Sequence, residues 1–430
     1  MPMLAGADPG TAPAPLAGDY AAPDGLLDTV SLYLHIPFCH AKCYYCDFNS
    51  YAGMLGLRER YVAALAREIA LAGARARLPD GSPRRCRTIF FGGGTPSLLT
   101  AAQVTDLLAA ARAAFAVDAE AEITLEANPG ALEYGQLDAI RAAGVNRLSM
   151  GAQSFDAGLL RWMGRIHTPD EIVRALGDAR AAGFRSVNLD FIYALPGQSL
   201  ATWRETLDRA LDLRPEHLSL YSLIVEEGTP LHRWVAQGRV QPADDDLAAD
   251  MYELAEARLA QAGYVQYEVS NWALPGHACR HNLTYWHNLP YIGLGAGAHG
   301  WFGGRRYSEA RPIHGYLARV AAALEGTSRE GDVDRLLPGG AVVESEAIPI
   351  ELEMAETAML GLRLVSGLDL GAFARRYGRD FEAVFGERLA EVSAAGLLER
   401  VGASVRLSER GRLLGNEVFA CLLPDTQADS

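Results

Sequence analysis

Short apolar runs alternate with Ala-rich amphipathic stretches from residue 31 to residue 262, and this alternation limits the possible folds more than any other feature. The strand-like runs are Leu32–Ile36, Thr88–Phe91, Ile123–Glu126, Arg147–Met150, Val187–Tyr193 and Leu218–Leu223. The helical patterns lie near residues 58–74, 101–115, 134–143, 168–182, 200–212 and 246–262. Strands that alternate with helices favour a parallel sheet. Six such units predict an α/β fold with a partial (β/α)6 TIM-type barrel, and an open doubly wound sheet is the alternative.

Functionally distinctive residues follow five successive predicted strands at the point where each strand ends. They are Cys39, Gly93, Glu126, Gln153 and Asp190. A barrel collects its functional residues from several strands at this carboxyl face, whereas an open sheet concentrates them at one switch point. The spread over five strands therefore favours the barrel, with a functional site at its mouth.

A cysteine loop follows the first predicted strand. Cys39, Cys43 and Cys46 have three and then two residues between them, so their sulfurs can turn toward one point. A [4Fe–4S] cluster ordinarily uses four thiolates. Three thiolates leave one iron open to a small molecule, and we expect the three sulfurs to converge at the barrel mouth. The alternatives are reduced buried thiols or a structural zinc loop, although zinc would need a fourth ligand and His40 is poorly placed for that role.

A glycine run and several strand-end side chains offer a ligand site beside this loop. The run Gly92-Gly93-Gly94-Thr95 lets backbone groups approach a ligand closely, although a tight turn is the alternative for glycines alone. Glu126, Gln153 and Asp190 offer oxygen atoms that can accept hydrogen bonds from ligand hydroxyl groups, and Arg165 offers a guanidinium that can pair with a ligand carboxylate. Each of these is ambiguous alone, because a strand-end Asp also caps loops or pairs with an Arg.

The cysteine loop, the glycine run and the strand-end residues resemble the radical S-adenosylmethionine (SAM) superfamily, and their succession is similar to its HemN/HemW branch over about residues 30–425. HemN proteins are oxygen-independent coproporphyrinogen III oxidases, and HemW proteins are regarded as heme chaperones. The resemblance implies that Cys39, Cys43 and Cys46 hold a [4Fe–4S] cluster whose open iron chelates the amino and carboxylate groups of SAM. It also implies SAM contacts from Tyr33, Gly93, Gly94, Thr95, Glu126, Gln153, Arg165 and Asp190.

Two positions favour the HemW side of this branch. The oxidase motif has a further cysteine two residues after the third, and this chain has Phe48 there. The segment His281-Asn282-Leu283-Thr284-Tyr285-Trp286 matches the His-Asn-x-x-Tyr-Trp motif of HemW proteins. A neutral imidazole can ligate heme iron and aromatic rings can stack on a porphyrin, so His281 is the predicted heme ligand. The alternatives are His277, Cys279 or His287 as the ligand, or an aromatic belt that closes the barrel without heme.

The resemblance implies a heme chaperone that binds a cluster, SAM and heme and delivers heme to an acceptor protein, such as a membrane-associated respiratory enzyme. On this interpretation SAM serves regulation or heme handling. A true coproporphyrinogen III oxidase is the second hypothesis, in which a 5′-deoxyadenosyl radical abstracts hydrogen from the propionate side chains. Another HemN-like radical enzyme is the third. A shared SAM site cannot separate them, because the cofactor carries the chemistry in every case.

The pattern divides the chain into five predicted segments. Residues 1–28 form an Ala-, Pro- and Gly-rich disordered tail, and residues 29–263 form the partial barrel. Residues 264–325 close the barrel, and within them the glycine-rich stretch 291–300 is expected to line its mouth. Residues 326–350 form a linker. Residues 351–425 form a helical unit that ends in a β-hairpin and resembles a winged helix.

Composition narrows the partners and the location. The formal charge is −14, from 53 acidic against 39 basic residues, so nucleic acid is excluded as an expected partner. No apolar run approaches the ~20 residues that a membrane span requires. Residues 1–28 contain no Lys or Arg, which fits neither a secretory signal nor a mitochondrial presequence. We therefore expect a cytoplasmic protein.

Overall fold

A computed structural model provides the fold of the 430-residue chain. The structure describes residues 26–131, 134–326 and 337–423. The predicted tail of residues 1–28 lies outside the described residues except for its last three, which form a 3-10 helix at Leu26–Asp28. The predicted linker of residues 326–350 is described at residue 326 and from residue 337 onward.

Strands and helices are numbered here in chain order over the described residues. The strands are β1 (Thr29–Ile36), β2 (Phe38–Cys39), β3 (Tyr51–Ala52), β4 (Arg85–Gly93), β5 (Ala116–Ala127), β6 (Arg147–Gln153), β7 (Val187–Tyr193), β8 (His217–Ser222), β9 (Val265–Glu268), β10 (Asn271–Ala273), β11 (Tyr291–Leu294), β12 (His299–Phe302), β13 (Arg305–Glu309), β14 (Val342–Ala347), β15 (Leu368–Asp369), β16 (Leu398–Val401) and β17 (Ser404–Leu407). The helices are α1 (Arg58–Arg75), α2 (Ala101–Ala114), α3 (Tyr134–Ala143), α4 (Ala157–Trp162), α5 (Pro169–Ala181), α6 (Leu200–Leu213), α7 (Pro230–Ala236), α8 (Asp245–Gln261), α9 (Arg280–Trp286), α10 (Ile313–Glu325), α11 (Ile350–Leu362), α12 (Leu370–Tyr377), α13 (Phe381–Ala394), α14 (Glu409–Leu413) and α15 (Gly415–Leu422).

Twelve of these strands form one mixed sheet in the order β14-β13-β12-β11-β1-β4-β5-β6-β7-β8-β10-β9. Strands β1, β4, β5, β6, β7 and β8 are all parallel to their neighbours in this series, and helices connect each of the later pairs. This confirms the predicted α/β fold with six parallel barrel strands. Strand β11 adds a seventh parallel strand beside β1. Antiparallel strands extend the sheet at both of its ends.

The barrel strands carry apolar side chains on one face and mostly polar side chains on the other. On β1 and β4, the fully buried Leu32, Leu34, Ile89 and Phe91 belong to the main hydrophobic core that also holds the surrounding helices. Each such buried side chain stabilises the fold by about 1.5–3 kcal/mol. Side chains alternate in direction along a strand. The intervening residues therefore face the barrel interior, where the ligand-binding groups lie.

Side-chain caps fix the starts of the helices that follow the strand ends. Thr100 and Gln103 form a reciprocal capping box at α2, and Thr168 and Glu171 form another at α5. Such a cap satisfies backbone N–H groups that have no partner inside the helix and is worth about 1 kcal/mol. The caps therefore hold each connecting loop, and the strand end before it, in a defined position.

The segment after the barrel contains strands in the glycine-rich stretch 291–300 and in the predicted linker. Strand β11 lies within the glycine-rich stretch 291–300, which was expected to line the barrel mouth. Strand β14 lies within the predicted linker 326–350 and pairs with β13. An added Cβ at Gly293 would lie 1.8 Å from the carbonyl oxygen of His299, so only glycine permits this close pairing. The domain boundaries themselves stay a prediction.

The C-terminal unit has its own core and docks on the end of α9. Phe373, Phe381 and Phe385 lie in that core, and strands β15, β17 and β16 form a three-stranded sheet beside it. Helices α11 to α13 and the hairpin of β16 and β17 agree with the predicted helical and hairpin pattern. The Arg376 guanidinium donates to the carbonyl oxygens of His287 at 3.2 Å and Asn288 at 2.9 Å. These bonds join the unit to the residues that follow α9.

Within the described residues, the helices include none that is long and apolar enough to span a bilayer.

Candidate functional site

One open cleft at the carboxyl ends of the barrel strands holds most of the predicted site residues. It encloses about 750 Å³, counted to its solvent-open side. Ten of the twelve predicted residues line it: Cys39, Cys43, Cys46, Gly93, Gly94, Thr95, Glu126, Gln153, Arg165 and Asp190. Tyr33 and His281 do not line it. Residues far apart in the chain thus meet because parallel strands end at the same edge of the sheet.

The three cysteines lie in one wall of the cleft, and their sulfurs have separate partners. Thr95 Oγ1 donates to Cys39 Sγ at 3.5 Å, and Arg165 Nη1 donates to Cys43 Sγ at 3.5 Å. Burial raises the pKa of the Cys46 thiol to about 11. In the described parts of the chain, no group of three or more His, Cys, Asp or Glu side chains is arranged to hold a metal ion. All three cysteines nevertheless line the same cleft at the barrel mouth, and the convergence of their sulfurs on one cluster stays a prediction.

The cysteine loop is anchored by the residue that follows Phe48. The Asn49 side-chain amide donates to the carbonyl oxygens of Ala296 at 2.7 Å and Arg311 at 2.9 Å. Tyr51 OH donates to Asn49 Oδ1 at 2.9 Å. An added Cβ at Gly297 would lie 2.5 Å from the Asn49 amide nitrogen. The glycine-rich segment thus leaves room for the side chain that ties the loop to the rest of the barrel.

The glycine run is required by close contacts rather than by a turn alone. Gly93 has a φ of +114°, and an added Cβ there would lie 2.5 Å from the His35 ring. An added Cβ at Gly94 would lie 2.6 Å from the carbonyl oxygen of Phe38. Side chains at these positions would therefore close the space between the cysteine loop and the strand ends. The backbone N–H of Gly93 donates to Glu126 Oε2 at 3.0 Å.

Glu126 and Asp190 place two carboxyl groups in the same cleft. Desolvation, with repulsion from Asp190, raises the pKa of Glu126 to about 8. Desolvation also raises the pKa of Asp190, although Asn188 Nδ2 donates to it at 2.7 Å. Two carboxyl groups that resist ionisation together form an acceptor site that a positively charged ligand would stabilise.

Arg165 and Gln153 lie at the end of β6, between the two strands that carry Glu126 and Asp190. Arg165 Nη2 donates to the carbonyl oxygen of Gly151 at 2.8 Å, while its Nε is buried without a hydrogen-bond partner. Gln153 has a φ of +66°, a conformation that a residue with a side chain rarely adopts. Such strain is common where a fold fixes a ligand-binding group. Both residues therefore fit the predicted role in ligand contact.

Tyr33 lies below the cleft, where it orients His35. The His35 ring donates from Nε2 to the carbonyl oxygen of Asn49 at 2.8 Å, so its Nδ1 accepts from Tyr33 OH at 3.0 Å. Burial lowers the pKa of His35 to about 4, so the ring is neutral at neutral pH. Tyr33 thus acts on the cysteine loop through His35 and Asn49, and its ring stacks on Phe90.

His281 lies inside the barrel at the start of α9, away from an exposed rim. It is 1% exposed, and its ring stacks on Phe90. Its Nδ1 is hydrogen-bonded to Thr88 Oγ1 at 2.7 Å and its Nε2 to Tyr285 OH at 2.9 Å. Burial lowers its pKa to about 3. The prediction of His281 as an accessible heme ligand does not agree with this geometry, because neither nitrogen is available to iron.

Helix α9 instead plugs the barrel from the side opposite the cleft. The Glu122 carboxylate on β5 accepts from the backbone N–H groups of Arg280 and His281, both at 2.9 Å. Ser31 on β1 is hydrogen-bonded to Thr284 at 3.0 Å. The aromatic segment therefore closes the barrel, which is the alternative considered for it. Half-buried His277 and His287 lie at the two ends of the helix.

The cleft suits the cofactors that the motif implies. Three free thiols on one loop supply the ligand type that iron–sulfur clusters use. Two polar atoms at the cleft, Arg165 Nε and Ser50 Oγ, are buried without partners. A guanidinium and a pair of carboxyl groups in one cleft match the carboxylate and the cationic groups of SAM. The chain can therefore hold both groups with residues that the structure already brings together.

Comparison with known proteins gives the family. The profile of the Radical SAM superfamily matches residues 33–210, and the profile of the HemN C-terminal domain matches residues 351–414. A protein of Bacillus subtilis (strain 168) named "Heme chaperone HemW" is 36% identical over 394 residues, which are 91% of this chain and 99% of the relative. This chain belongs to the HemW family. A Mycobacterium tuberculosis (strain ATCC 25618 / H37Rv) relative of the same name is 39% identical over 91% of this chain and 94% of its own.

The HemW family shares its fold with a solved oxidase structure. Coproporphyrinogen III oxidase (HemN) from Escherichia coli, described as a radical SAM enzyme, superposes with a TM-score of 0.75 at 25% identity. The match covers 92% of this chain and 90% of the oxidase. The likeness includes the C-terminal unit, so fold alone does not separate the HemW family from the oxidase.

Sequence reasoning missed several groups that build the site in this HemW-family chain. Asn49 and Ser50 follow the last cysteine closely, yet nothing in the spacing marked them as an anchor and a cleft residue. Arg147 and Thr124 face the barrel interior, and the alternation of polar and apolar residues along β5 and β6 could have identified both.

Proposed function

We propose that this member of the HemW family is a cytoplasmic heme chaperone that binds a [4Fe–4S] cluster, SAM and heme and passes the heme to an acceptor protein. The observation that carries the proposal is the similarity to proteins named heme chaperone HemW, which spans nearly the whole of both chains. The residues gathered in the cleft support the cofactor part. All six cysteines are free thiols, as is usual in a reducing compartment.

In this proposal the cysteine loop holds the cluster. Cys39, Cys43 and Cys46, which line the cleft, would supply the three thiolates, and Thr95 and Arg165 already lie within hydrogen-bond distance of two of them. Burial disfavours the charged form of Cys46, and binding to iron compensates for that cost. The cluster, when bound, supplies the electron that radical SAM proteins use. Asn49 and His35 would keep the loop in place from below.

SAM would lie in the same cleft, against the strand ends. Arg165 would pair with its carboxylate, and Glu126 and Asp190 would accept hydrogen bonds from its amine or ribose. Gly93, Gly94 and Thr95 would offer backbone and hydroxyl groups at close range, and Gln153 would contribute from the end of β6. The raised pKa of Glu126 supports this placement, because a cationic ligand restores the charge that burial disfavours.

Heme would require a ligand other than His281 unless α9 moves. Both nitrogens of His281 are hydrogen-bonded, and the helix is held by Glu122 and Ser31. His277 and His287, at the two ends of α9, are half-buried and remain candidates. The proposed acceptor of the heme is a membrane-associated respiratory enzyme.

A coproporphyrinogen III oxidase is the second candidate function. The fold of the solved oxidase supports it, since both chains are matched over about nine-tenths of their length. Against it, Phe48 stands where the oxidase motif carries a further cysteine. Phe48 is 60% exposed and lines the cleft. Packing in the hydrophobic core therefore does not explain why an aromatic ring stands at this position.

Two assays on one anaerobically reconstituted sample test the proposal. Coproporphyrinogen III is incubated with the protein, SAM and a reductant, and porphyrinogen product is quantified. Heme is then titrated into a second portion while the Soret band is followed. We expect saturable heme binding and no decarboxylation. Robust conversion of coproporphyrinogen III, without heme binding, would establish the oxidase instead.

A further inference from the structure

The barrel interior beneath the cleft is polar, unlike the branched apolar layers that fill most barrels of this type. Along β5, Glu122, Thr124 and Glu126 share one face, because every second side chain points the same way. Glu126 lines the cleft and Glu122 holds α9, so Thr124 faces the space between them. In the sheet register Thr124 is opposite Arg147 on β6.

Arg147 and Thr124 are both buried and both lack hydrogen-bond partners. Arg147 is 4% exposed, and its Nε is buried with no partner. Thr124 is 0% exposed, and its Oγ1 likewise has none. Across the described residues, the Arg147 guanidinium makes no hydrogen bond or ion pair. Two donors from adjacent strands therefore point into the same interior with nothing to receive them.

The charge of Arg147 is retained despite its burial. Its pKa is raised, because attraction to the Cys279 thiol, Glu122, Tyr267 and Asp190 outweighs desolvation. Glu122 is already occupied by the backbone N–H groups at the start of α9. The pKa of Asp190 is raised by burial, and it is hydrogen-bonded to Asn188. These neighbours set the charge of Arg147 from a distance without satisfying its donors.

The buried Nε of Arg147 is costly to leave without a partner, and it belongs to a guanidinium that presents five N–H groups in a fixed planar fork. The group that fits this fork best is a carboxylate, which accepts two parallel hydrogen bonds. The Thr124 hydroxyl adds a third donor on the neighbouring strand. Only a group that accepts hydrogen bonds can satisfy all of these donors. Such a group would enter the barrel interior from the cleft, which is its open side.

We propose that Arg147 and Thr124 form a carboxylate-binding subsite in the barrel interior, below the cleft. It takes a carboxylate on a short apolar arm of about the length of propionate. On the proposed function, on which this assignment of the ligand rests, the arm is a propionate of heme that reaches down from the cleft. The subsite itself depends only on the two unpartnered donors.

The test uses the anaerobically reconstituted full chain and sodium propionate as the probe, with thermal unfolding as the readout. Propionamide, which has the same shape and no charge, is the matched control ligand at equal ionic strength. We expect propionate to raise the unfolding temperature saturably and propionamide to have no such effect. Absence of a saturable propionate effect in the wild type, with water alone filling the interior, would overturn the proposal.

Two variants assign the effect to this subsite. Arg147→Lys keeps the charge but loses the fork, and should weaken propionate binding about tenfold or more. Thr124→Val is nearly isosteric and removes a hydroxyl that has no partner, so it should fold as stably as the wild type and bind propionate several-fold more weakly. Wild-type propionate affinity in Thr124→Val and Arg147→Lys would contradict the assignment, even if one variant folds poorly.

A heme titration distinguishes failure of the carboxylate subsite from failure of the proposed heme-chaperone function. Iron protoporphyrin IX and its dimethyl ester are titrated into the wild type and Thr124→Val. We expect the wild type to prefer the free acid and the variant to lose much of that preference. A propionate effect without heme binding would refute the heme chaperone and leave the subsite intact. Heme binding without the propionate effect, and without a preference for the free acid over the dimethyl ester, would support the heme chaperone and refute the subsite.

Discussion

Arg165 Nη1 lies 3.5 Å from the sulfur of Cys43, so one guanidinium touches the cysteine loop directly. Its Nη2 donates to the carbonyl oxygen of Gly151 at the end of β6, and its Nε has no partner. The side chain therefore joins the two walls of the cleft and still has a donor left for a ligand.

Replacing Arg165 should weaken SAM binding while leaving cluster assembly possible. A hydrogen bond to a charged group contributes about 1.5–3 kcal/mol, so Arg165→Gln should raise the Kd for SAM roughly 10- to 150-fold. Calorimetric titration of SAM into the reconstituted variant measures this. Arg161→Gln, on the exposed side of α4, is the matched control and should bind normally. Equal SAM affinity in Arg165→Gln and the wild type would remove Arg165 from the site.

Each of the three loop cysteines should be necessary for the cluster. Cys39→Ala, Cys43→Ala and Cys46→Ala should each abolish the visible absorbance of the reconstituted protein, because three thiolates are the minimum that this loop offers. Cys421→Ala, in the C-terminal unit, is the control and should retain the absorbance. Retention of the full spectrum by any loop variant, or its loss in Cys421→Ala, would contradict the assignment.

SAM affinity should depend on pH through Glu126. The folded protein keeps a proton on Glu126 between about pH 4.5 and 8, because burial and Asp190 raise its pKa to about 8. A cationic ligand favours the ionised form, so SAM affinity should rise as pH increases through about 8. The neighbouring charges that act with it are Asp190 and Arg147. SAM titrations from pH 6 to 9 follow this.

The Glu126→Gln variant supplies the reference for that pH series. Its affinity should lack the part of the pH dependence that Glu126 causes, while any contribution from the amine of SAM itself remains. Parallel curves for the wild type and Glu126→Gln would show that Glu126 does not titrate on binding.

Loosening the anchor of the cysteine loop should make the cluster labile. Asn49→Ala removes two hydrogen bonds to the carbonyl oxygens of Ala296 and Arg311, at a cost of about 1–3 kcal/mol. We expect faster loss of the visible absorbance in the presence of an iron chelator. Tyr51→Phe, which removes one hydroxyl that bonds the same groups, should have a smaller effect. Equal rates in Asn49→Ala and the wild type would show that the anchor does not hold the cluster.

His281 should contribute to stability more than to heme coordination. His281→Ala leaves the Thr88 and Tyr285 hydroxyls without a partner and opens a cavity, which should lower the free energy of unfolding by about 2–4 kcal/mol. Urea denaturation measures this, and the Soret maximum of bound heme should stay in place. His277→Ala and His287→Ala serve as comparisons for the Soret band. A shifted Soret maximum in His281→Ala, at unchanged stability, would mean that α9 opens to expose the ligand.

The order of strands and helices could be predicted because hydrophobic periodicity is a local property. β7 was predicted with the bounds Val187–Tyr193 that the structure shows, and α1 differs from its prediction by one residue at the C-terminal end. β11 could not be predicted in this way. Its glycine-rich residues show no strand-like alternation, and they form a strand because they pair with the edge of β1 and Gly293 permits the approach of His299.

The cleft could be predicted from the rule that parallel strands end together, whereas the position of His281 could not. A short motif identifies residue types but not the direction in which their helix faces. The pairing of α9 with Glu122 on β5, 159 residues earlier in the chain, turns His281 inward. The anchor at Asn49 is also a long-range contact, since it depends on carbonyl groups of Ala296 and Arg311.

The most direct test of the chaperone proposal is a heme titration of the anaerobically reconstituted wild type, followed at the Soret band and analysed for stoichiometry. We expect saturation at about one heme per chain, with a spectrum that differs from that of free heme. A Soret band that grows without saturation, as for heme adsorbed to any protein surface, would contradict the proposal that this HemW-family chain carries heme.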